Sequence, residues 1–295
     1  MNHSMEIKNQ TPVWASETQL IQTLEPMLRH PVADAEVSAL PGDASTRRYF
    51  RISYSEKKDA EKNGSLIVMQ LERPAPGENI DFILMLKFLQ GLDLPVPHLL
   101  KYDSAQGLLF LEDCSDTTLE IKLGECDEAE QREYYRKAVD LLVQMQTRGT
   151  RNINPDCPAF HLRFDVEKLM QELNFMLEHY VTGLRKSPLI DEDARVIRRQ
   201  FETLCKKLEA QKPCFTHRDY HSRNLMVHNG GLTMIDFQDA RMGPCQYDLV
   251  SLLRDSYFPL KDEWVEELKE YFLEKKEEAE GKKIDRQEFD EVFDL

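Results

Sequence analysis

Three polar side chains at fixed spacing constrain this chain more than any other feature of its 295 residues. His217-Arg218-Asp219 is followed by Asn224, and then by Ile235-Asp236-Phe237. Between Asn224 and Asp236 lie two short apolar runs, Leu225-Met226-Val227 and Leu232-Thr233-Met234-Ile235. The residues joining them, His228-Asn229-Gly230-Gly231, tolerate the positive φ of a tight hairpin turn. A hairpin here returns Asp236 to the side of Asn224. An amide oxygen and a carboxylate suit a hard divalent cation such as Mg²⁺. The remaining carboxylate, Asp219, can orient a hydroxyl and accept its proton. Together they imply phosphoryl transfer, in which catalysis is mostly placement and charge neutralisation.

The spacing H-R-D-x-x-x-x-N, followed by D-F, is that of a protein-kinase-type catalytic loop and its metal-binding segment. Asp219 is therefore the expected catalytic base, and Asn224 and Asp236 the expected Mg²⁺ ligands beside ATP. The rest of the chain is ordered around that loop. Residues 1–13 are polar and read as a flexible tail. Ser16–Leu28 has helical apolar spacing with Ser16 as its cap. Strands are expected at Glu36–Leu40, Arg48–Ile52, Ser65–Leu71, His98–Tyr102 and Leu108–Leu111, with Lys57–Asn63 as a charged hairpin tip. Asn79–Gln90 reads as one amphipathic helix. The small-residue turn before Arg48 suits phosphate contact, with the hydroxyls of Ser45 and Thr46 and the charge of Arg48 as candidates. Glu112-Asp113 is the expected hinge meeting the adenine edge. The strand position where a kinase carries its phosphate-gripping Lys holds Gln70, and Arg48 and Arg51 are the nearest cations in chain order.

From Cys114 the chain turns helical. Helices are expected at Asp127–Gln146, Phe164–Val181 and Asp191–Ala210. Their Met and aromatic stripes read as core, and Glu172, Asn174 and His179 are polar candidates for an acceptor pocket. Asp248 is expected to cap a helix or brace the catalytic loop. Lys261–Glu280 reads as an outer helix, and a further amphipathic segment begins near Phe289. The expected architecture is α+β and bilobal, protein-kinase-like. It has a small five-stranded antiparallel N-lobe over 14–112 and a larger, mainly helical C-lobe over 113–295, possibly truncated at the C-terminus.

Composition narrows the function classes. A net charge of −15 argues against nucleic acid and against an anionic membrane surface as partners. No apolar run reaches the length of a spanning helix, and residues 1–10 carry no signal-peptide core. Six scattered cysteines without a C-x-x-C pair fit reduced thiols in a cytoplasmic protein. Nothing in the sequence sets an oligomeric state.

The run from His217 to Met226, with Ile235-Asp236-Phe237-Gln238-Asp239-Ala240, Gly243-Pro244 and Tyr247 to Asp255, resembles the aminoglycoside phosphotransferase and choline kinase superfamily. Within it, the wording is most similar to the bacterial anomeric kinases of N-acetylmuramate and N-acetylglucosamine that serve cell-wall recycling. Gly42 to Arg51 and Leu109 to Asp113 are similar to theirs as well, and the likeness runs from about Trp14 onward. The resemblance implies ATP with Mg²⁺ and phosphorylation of the C1 hydroxyl of an amino sugar, with Asp219 as base and Asn224 and Asp236 as metal ligands. Arg223, Asp239, Arg254 and Asp255 are candidates for contact with the substrate; an acidic sugar wants a local Arg, and Arg223, Arg241 and Arg254 are available. Two alternatives stand beside this reading. One is a kinase of another small hydroxyl compound, of the aminoglycoside, choline or homoserine type. The other is a nucleotide-binding pseudokinase, for which Gln70 speaks.

Overall fold

The computed structural model describes residues 14–28, 32–41, 47–56 and 59–295. In chain order the first elements are Glu17–Gln22 (α1), Leu24–Leu28 (α2), Val32–Leu40 (β1), Arg48–Glu56 (β2), Asp59–Gln70 (β3), Asp81–Gly91 (α3), Leu99–Asp103 (β4) and Leu108–Glu112 (β5). The chain divides into two units, Met1–Ile83 with Pro97–Cys114, and Leu84–Val96 with Ser115–Leu295.

In the first unit the five strands form one sheet in the order β1-β2-β3-β5-β4, every pair antiparallel. Cross-strand partners share a face of a sheet, and successive residues alternate faces. The pairs Ile52↔Leu66 and Val68↔Phe110 therefore lie on one face, with Leu108. That face is buried with Leu20 of α1, Leu24 of α2 and Val32. The same parity puts Arg48 and Gln70, themselves a register pair, on this helix-covered face. Gln70 is 1 % exposed and its Oε1 accepts the Ala15 N–H at 3.1 Å. Arg51 pairs with Ile67 and lies on the opposite face, where it forms a two-point ion pair with Asp113 (2.7 and 3.0 Å).

Three local details differ from the expectations. The helix over 16–28 is two helices, α1 ending at Gln22 with Thr23 as its C-cap. Pro26 has no N–H to donate to the carbonyl of Gln22, which breaks the ladder there. The first strand begins at Val32, carried past a bulge between Ala33 and Glu36 in which Asp34 takes φ 49°. The charged hairpin is mostly strand, since β3 starts at Asp59 and pairs Asn63 with Ser55.

The second unit continues with Leu119–Glu125 (α4), Glu128–Asn152 (α5), Val166–Met176 (α6), Asp191–Glu209 (α7), Cys214–Thr216 (β6), Leu225–His228 (β7), Gly231–Met234 (β8), Arg241–Gly243 (β9), Gln246–Leu253 (α8), Asp262–Glu280 (α9) and Arg286–Phe293 (α10). α5 is the long central helix. It opens on a capping box in which Asp127 accepts the N–H of Ala129 and Glu130, and Glu130 accepts that of Asp127. Its stripe of Tyr135, Ala138, Leu142 and Met145 is buried.

The expected outer helix, α9, packs its apolar line Trp264, Val265, Leu268, Phe272 and Leu273 into the core along α5. Residues at those spacings make a stripe wide enough to bury. The stem of Lys276 is buried with them, and its Nζ reaches Gln146 Oε1 (3.1 Å) and Glu280 (2.9 Å). The helix expected over 164–181 is α6 followed by a π-helical segment, Leu177–Leu184.

Candidate active site

The hairpin that carries the site forms as the sequence dictates. β7 pairs β8 from Leu225↔Met234 to His228↔Gly231. Asn229 (φ 50°) and Gly230 (φ 75°) make the two-residue turn with both φ positive. The ladder extends one step beyond the strands, because the Ile235 N–H donates to Asn224 O at 3.0 Å. Asp236, the next residue, thereby follows directly on the position opposite Asn224.

Each polar end of the hairpin has a defined orientation. The Asn224 side-chain amide donates to Asp219 O (2.9 Å) and to His221 Nε2 (3.3 Å). Among the described residues nothing donates to its Oδ1, the atom a cation would take. Asp236 sits in the left-handed region (φ 62°, ψ 34°), a conformation that costs a non-glycine residue about 1 kcal/mol or more. Its Oδ1 accepts from Gln238 Nε2 at 2.6 Å, and Phe237 anchors the turn in the core.

The loop before the hairpin is held from beneath. β6 pairs β9 through Thr216↔Arg241 and leads into His217. Arg218 then takes φ 84°, a second strained position. Asp248, fully buried on α8, holds it there, because its two oxygens accept the N–H of His217 (2.7 Å) and of Arg218 (2.9 Å). Burial pushes the Asp248 carboxyl up to about 7 against the pull of those two donors.

His217 is buried too, and burial lowers its pKa to about 4. Its ring is therefore neutral, and its partners set the tautomer. Nε2–H donates to Ile235 O at 3.0 Å, and Nδ1 accepts the Asp219 N–H at 3.3 Å. One imidazole thus ties the residue before Asp236 to the backbone of Asp219.

Asp219 is half exposed, and its pKa is raised. Burial is the largest cause, Arg218 opposes it, and the carboxylates of Asp236 and Asp239 add to it. The Arg218 guanidinium lies among three carboxylates: Glu172 of α6 (3.4 Å), Asp239 (3.5 Å) and Asp219 (4.0 Å). Glu172 thus joins the site that Asp219 and Asp239 share.

The other candidates lie as follows. Asp255 is buried beneath the loop, accepting from Ser222 N (2.9 Å), Ser222 Oγ (2.5 Å) and Tyr257 N (2.8 Å). Arg223 forms a two-point pair with Glu120 (2.6 and 3.0 Å) and stacks on the Tyr257 ring at 3.7 Å. Arg254 pairs with Asp262 on the surface at 2.7 Å. In the first unit, Arg48 lies over the Trp14 ring (4.1 Å), Glu112 accepts the His98 N–H (3.1 Å), and Asp113 holds Arg51. Ser45 and Thr46 lie outside the described residues.

Sequence reasoning passed over His217 as a structural pin and left Arg241 only as a spare cation. The available signal was local, namely the position of His217 directly before Arg218-Asp219.

A divalent cation fits this donor set. Among the described residues no cluster of three or more His, Cys, Asp or Glu is placed to hold a metal. Asn224 and Asp236 instead offer two hard oxygens on one rigid hairpin, the number Mg²⁺ takes from protein when phosphates supply others. No helix among the described residues is long and apolar enough to cross a membrane.

Comparison with known proteins places these observations. The sequence profile of the phosphotransferase enzyme family (APH) matches residues 36–283. The chain is 31% identical over 248 residues to the N-acetylmuramate/N-acetylglucosamine kinase of Neisseria meningitidis serogroup B, covering 83% of this chain and 69% of that protein. It is 30% identical over 229 residues to the enzyme of the same name from Pseudomonas aeruginosa, covering 77% of this chain and 62% of that protein. Among solved structures, the ADP-bound aminoglycoside phosphotransferase APH(2'')-Ib aligns at a TM-score of 0.57 and 16% identity, covering 94% of this chain and 97% of that one. At that identity the likeness speaks for the fold.

Proposed function

We propose that this protein, which belongs to the phosphotransferase enzyme family, moves the γ-phosphoryl group of ATP to the C1 hydroxyl of an N-acetylated amino sugar. The observation that carries the reading is the way His217, Asp248 and the β7–β8 hairpin hold Asp219, Asn224 and Asp236 in one loop. The names of the two kinase relatives supply the acceptor class. The chain spans 69% and 62% of their lengths, so the activity of the whole protein is part of the proposal.

In this reading the acceptor hydroxyl donates to the Asp219 carboxylate. Its oxygen attacks the γ-phosphorus, the bond from that phosphorus to the β–γ bridging oxygen breaks, and ADP leaves. The hydroxyl proton passes to Asp219, whose raised pKa favours receiving it. Asn224 Oδ1 and the Asp236 carboxylate would hold Mg²⁺, which when bound would supply positive charge to the transferred phosphoryl group. Arg218 steadies Asp219 and Asp239 electrostatically. Backbone groups around Glu112 and Asp113 meet the adenine edge. Ser45 and Thr46 are the proposed phosphate contacts. Arg48, proposed with them, would have to leave the Trp14 ring on the helix-covered face, whereas Arg51, held by Asp113, is the cation of the opposite face.

Phosphorus NMR of the protein with ATP, Mg²⁺ and either N-acetylglucosamine or N-acetylmuramate tests this directly. A new sugar 1-phosphate resonance and stoichiometric ADP are expected with at least one sugar. Silence with both, with ATP still bound, would sink the amino-sugar acceptor and favour another small hydroxyl compound or a nucleotide-binding protein without turnover.

A further inference from the structure

We infer that Arg241 is the cationic anchor of a subsite for a carboxylate carried by the acceptor, and so a specificity residue for acidic over neutral amino sugars. The inference rests on the proposed acceptor class.

Arg241 lies on β9, directly opposite Thr216, the last strand residue before the catalytic loop. Its side chain is buried, with 6 % of the residue exposed. Nε donates to Asp239 O at 3.3 Å, and the guanidinium sits 5.1 Å from the centre of the Phe164 ring. Among the described residues, no carboxylate lies within ion-pair distance of it. Arg218, its neighbour, is more exposed and yet has three carboxylates around it. Of these two arginines, the one with less access to water is therefore the one that lacks a carboxylate partner. A buried charge without a counter-ion is costly, and folds keep one where a ligand completes the pair.

The surroundings point the same way. Burial lowers the Arg241 pKa, and the largest electrostatic influence on it is the like charge of Arg218, ahead of Glu172 and Asp239. Arginine remains protonated under such pressure. The result is standing positive charge within electrostatic reach of Arg218, the group that lines Asp219. A guanidinium fork matches a planar carboxylate in two-point geometry. An amino sugar that bears an acid side chain, bound with its C1 hydroxyl at Asp219, would present such a group. Arg223 and Arg254 have carboxylate partners already, Glu120 and Asp262.

The test compares Arg241→Met and Arg241→Lys with the parent protein in steady-state kinetics on N-acetylmuramate and N-acetylglucosamine. Arg241→Met should raise the KM for N-acetylmuramate about tenfold or more, the scale of a lost charged hydrogen bond. The KM values for N-acetylglucosamine and ATP should stay within about twofold, and Arg241→Lys should restore part of the difference. An equal rise for both sugars, or a rise in the KM for ATP, would overturn the subsite.

Folding supplies an independent readout. N-acetylmuramate alone should raise the thermal midpoint of the parent protein more than N-acetylglucosamine does, and Arg241→Lys should reduce that difference. A parent protein that turns over neither sugar but keeps this differential shift would defeat the proposed reaction and leave the subsite standing. Loss of the differential shift in the parent protein would defeat the subsite itself.

Discussion

Asp219→Asn is expected to lower kcat by about 10³-fold, within the range that a positioned base contributes. The substitution keeps the shape of the side chain and removes only its capacity to take a proton. The Asp219 N–H bond to His217 and the Asn224 bond to Asp219 O both use the backbone, so the loop should survive. KM for ATP should change by no more than about twofold, because Asp219 is not among the proposed nucleotide contacts. The pH profile carries a second signature. Burial, opposed by Arg218 and aided by the carboxylates of Asp236 and Asp239, raises the Asp219 pKa from its ordinary 3.8, so the acid limb of kcat/KM should be displaced upward and should vanish in the Asn variant. Steady-state kinetics across pH measure both effects. An Asn variant within tenfold of the parent would remove Asp219 from the chemistry and send the hydroxyl proton to the phosphate instead.

Asp248→Ala is expected to have the largest effect on stability. It strands two buried N–H groups, each costing about 1–3 kcal/mol. It also leaves the positive φ of Arg218 without the contact that holds it. A loss of roughly 3–5 kcal/mol follows, against a typical total of about 5–15 kcal/mol. Urea denaturation should show the midpoint falling, with catalysis lost at the same time. Asp248→Asn, which retains one acceptor oxygen, should fall between. A loss under about 1 kcal/mol would mean water replaces the carboxylate.

The same variant should expose a hidden pH dependence. The Asp248 carboxyl is raised to about 7 in the fold, so its contribution is complete below the ordinary 3.8 and is lost as pH rises through about 7. His217 runs the other way: lowered to about 4, it contributes fully above 6.5 and loses that contribution as pH falls through about 4. In the parent protein the two slopes oppose each other over their shared window. Without Asp248 only the histidine slope remains, and the gap in stability should widen by about 3 kcal/mol from pH 6.5 to pH 4.

What could be read from the sequence was local. The β7–β8 hairpin is set by apolar residues at strand spacing and an Asn-Gly turn, all within a dozen positions, and it forms as expected. The five strands of the sheet were legible for the same reason. Pro26 also acts locally, and a proline there is a signal in the sequence for the break in the N-terminal helix. The π-helical turns after α6 have no comparable local code.

The supports of the site were harder to see because they join residues distant in sequence. Asp248 could be suspected of bracing the loop, but which N–H groups it takes depends on how α8 meets β6. Side-chain direction is equally tertiary. Arg223 and Arg254 look available in the sequence and turn out to face Glu120 and Asp262. Gln70 looks like a missing lysine, and its amide is instead directed to Ala15 on the helix-covered face of the sheet.

The neutral ring of His217 has a consequence for how this loop can vary. It donates from one nitrogen and accepts at the other, across the width of a rigid ring. Asn and Gln also carry a donor and an acceptor, but both on one terminal amide carbon rather than at two different depths of a ring. A survey of tolerated substitutions should therefore mark His217 as strictly as Asp219, although its ring is a buried, neutral link between two backbone groups. Intolerance here measures a span between two stretches of backbone. An inference from intolerance to chemistry would credit the spacer with the work proposed for Asp219.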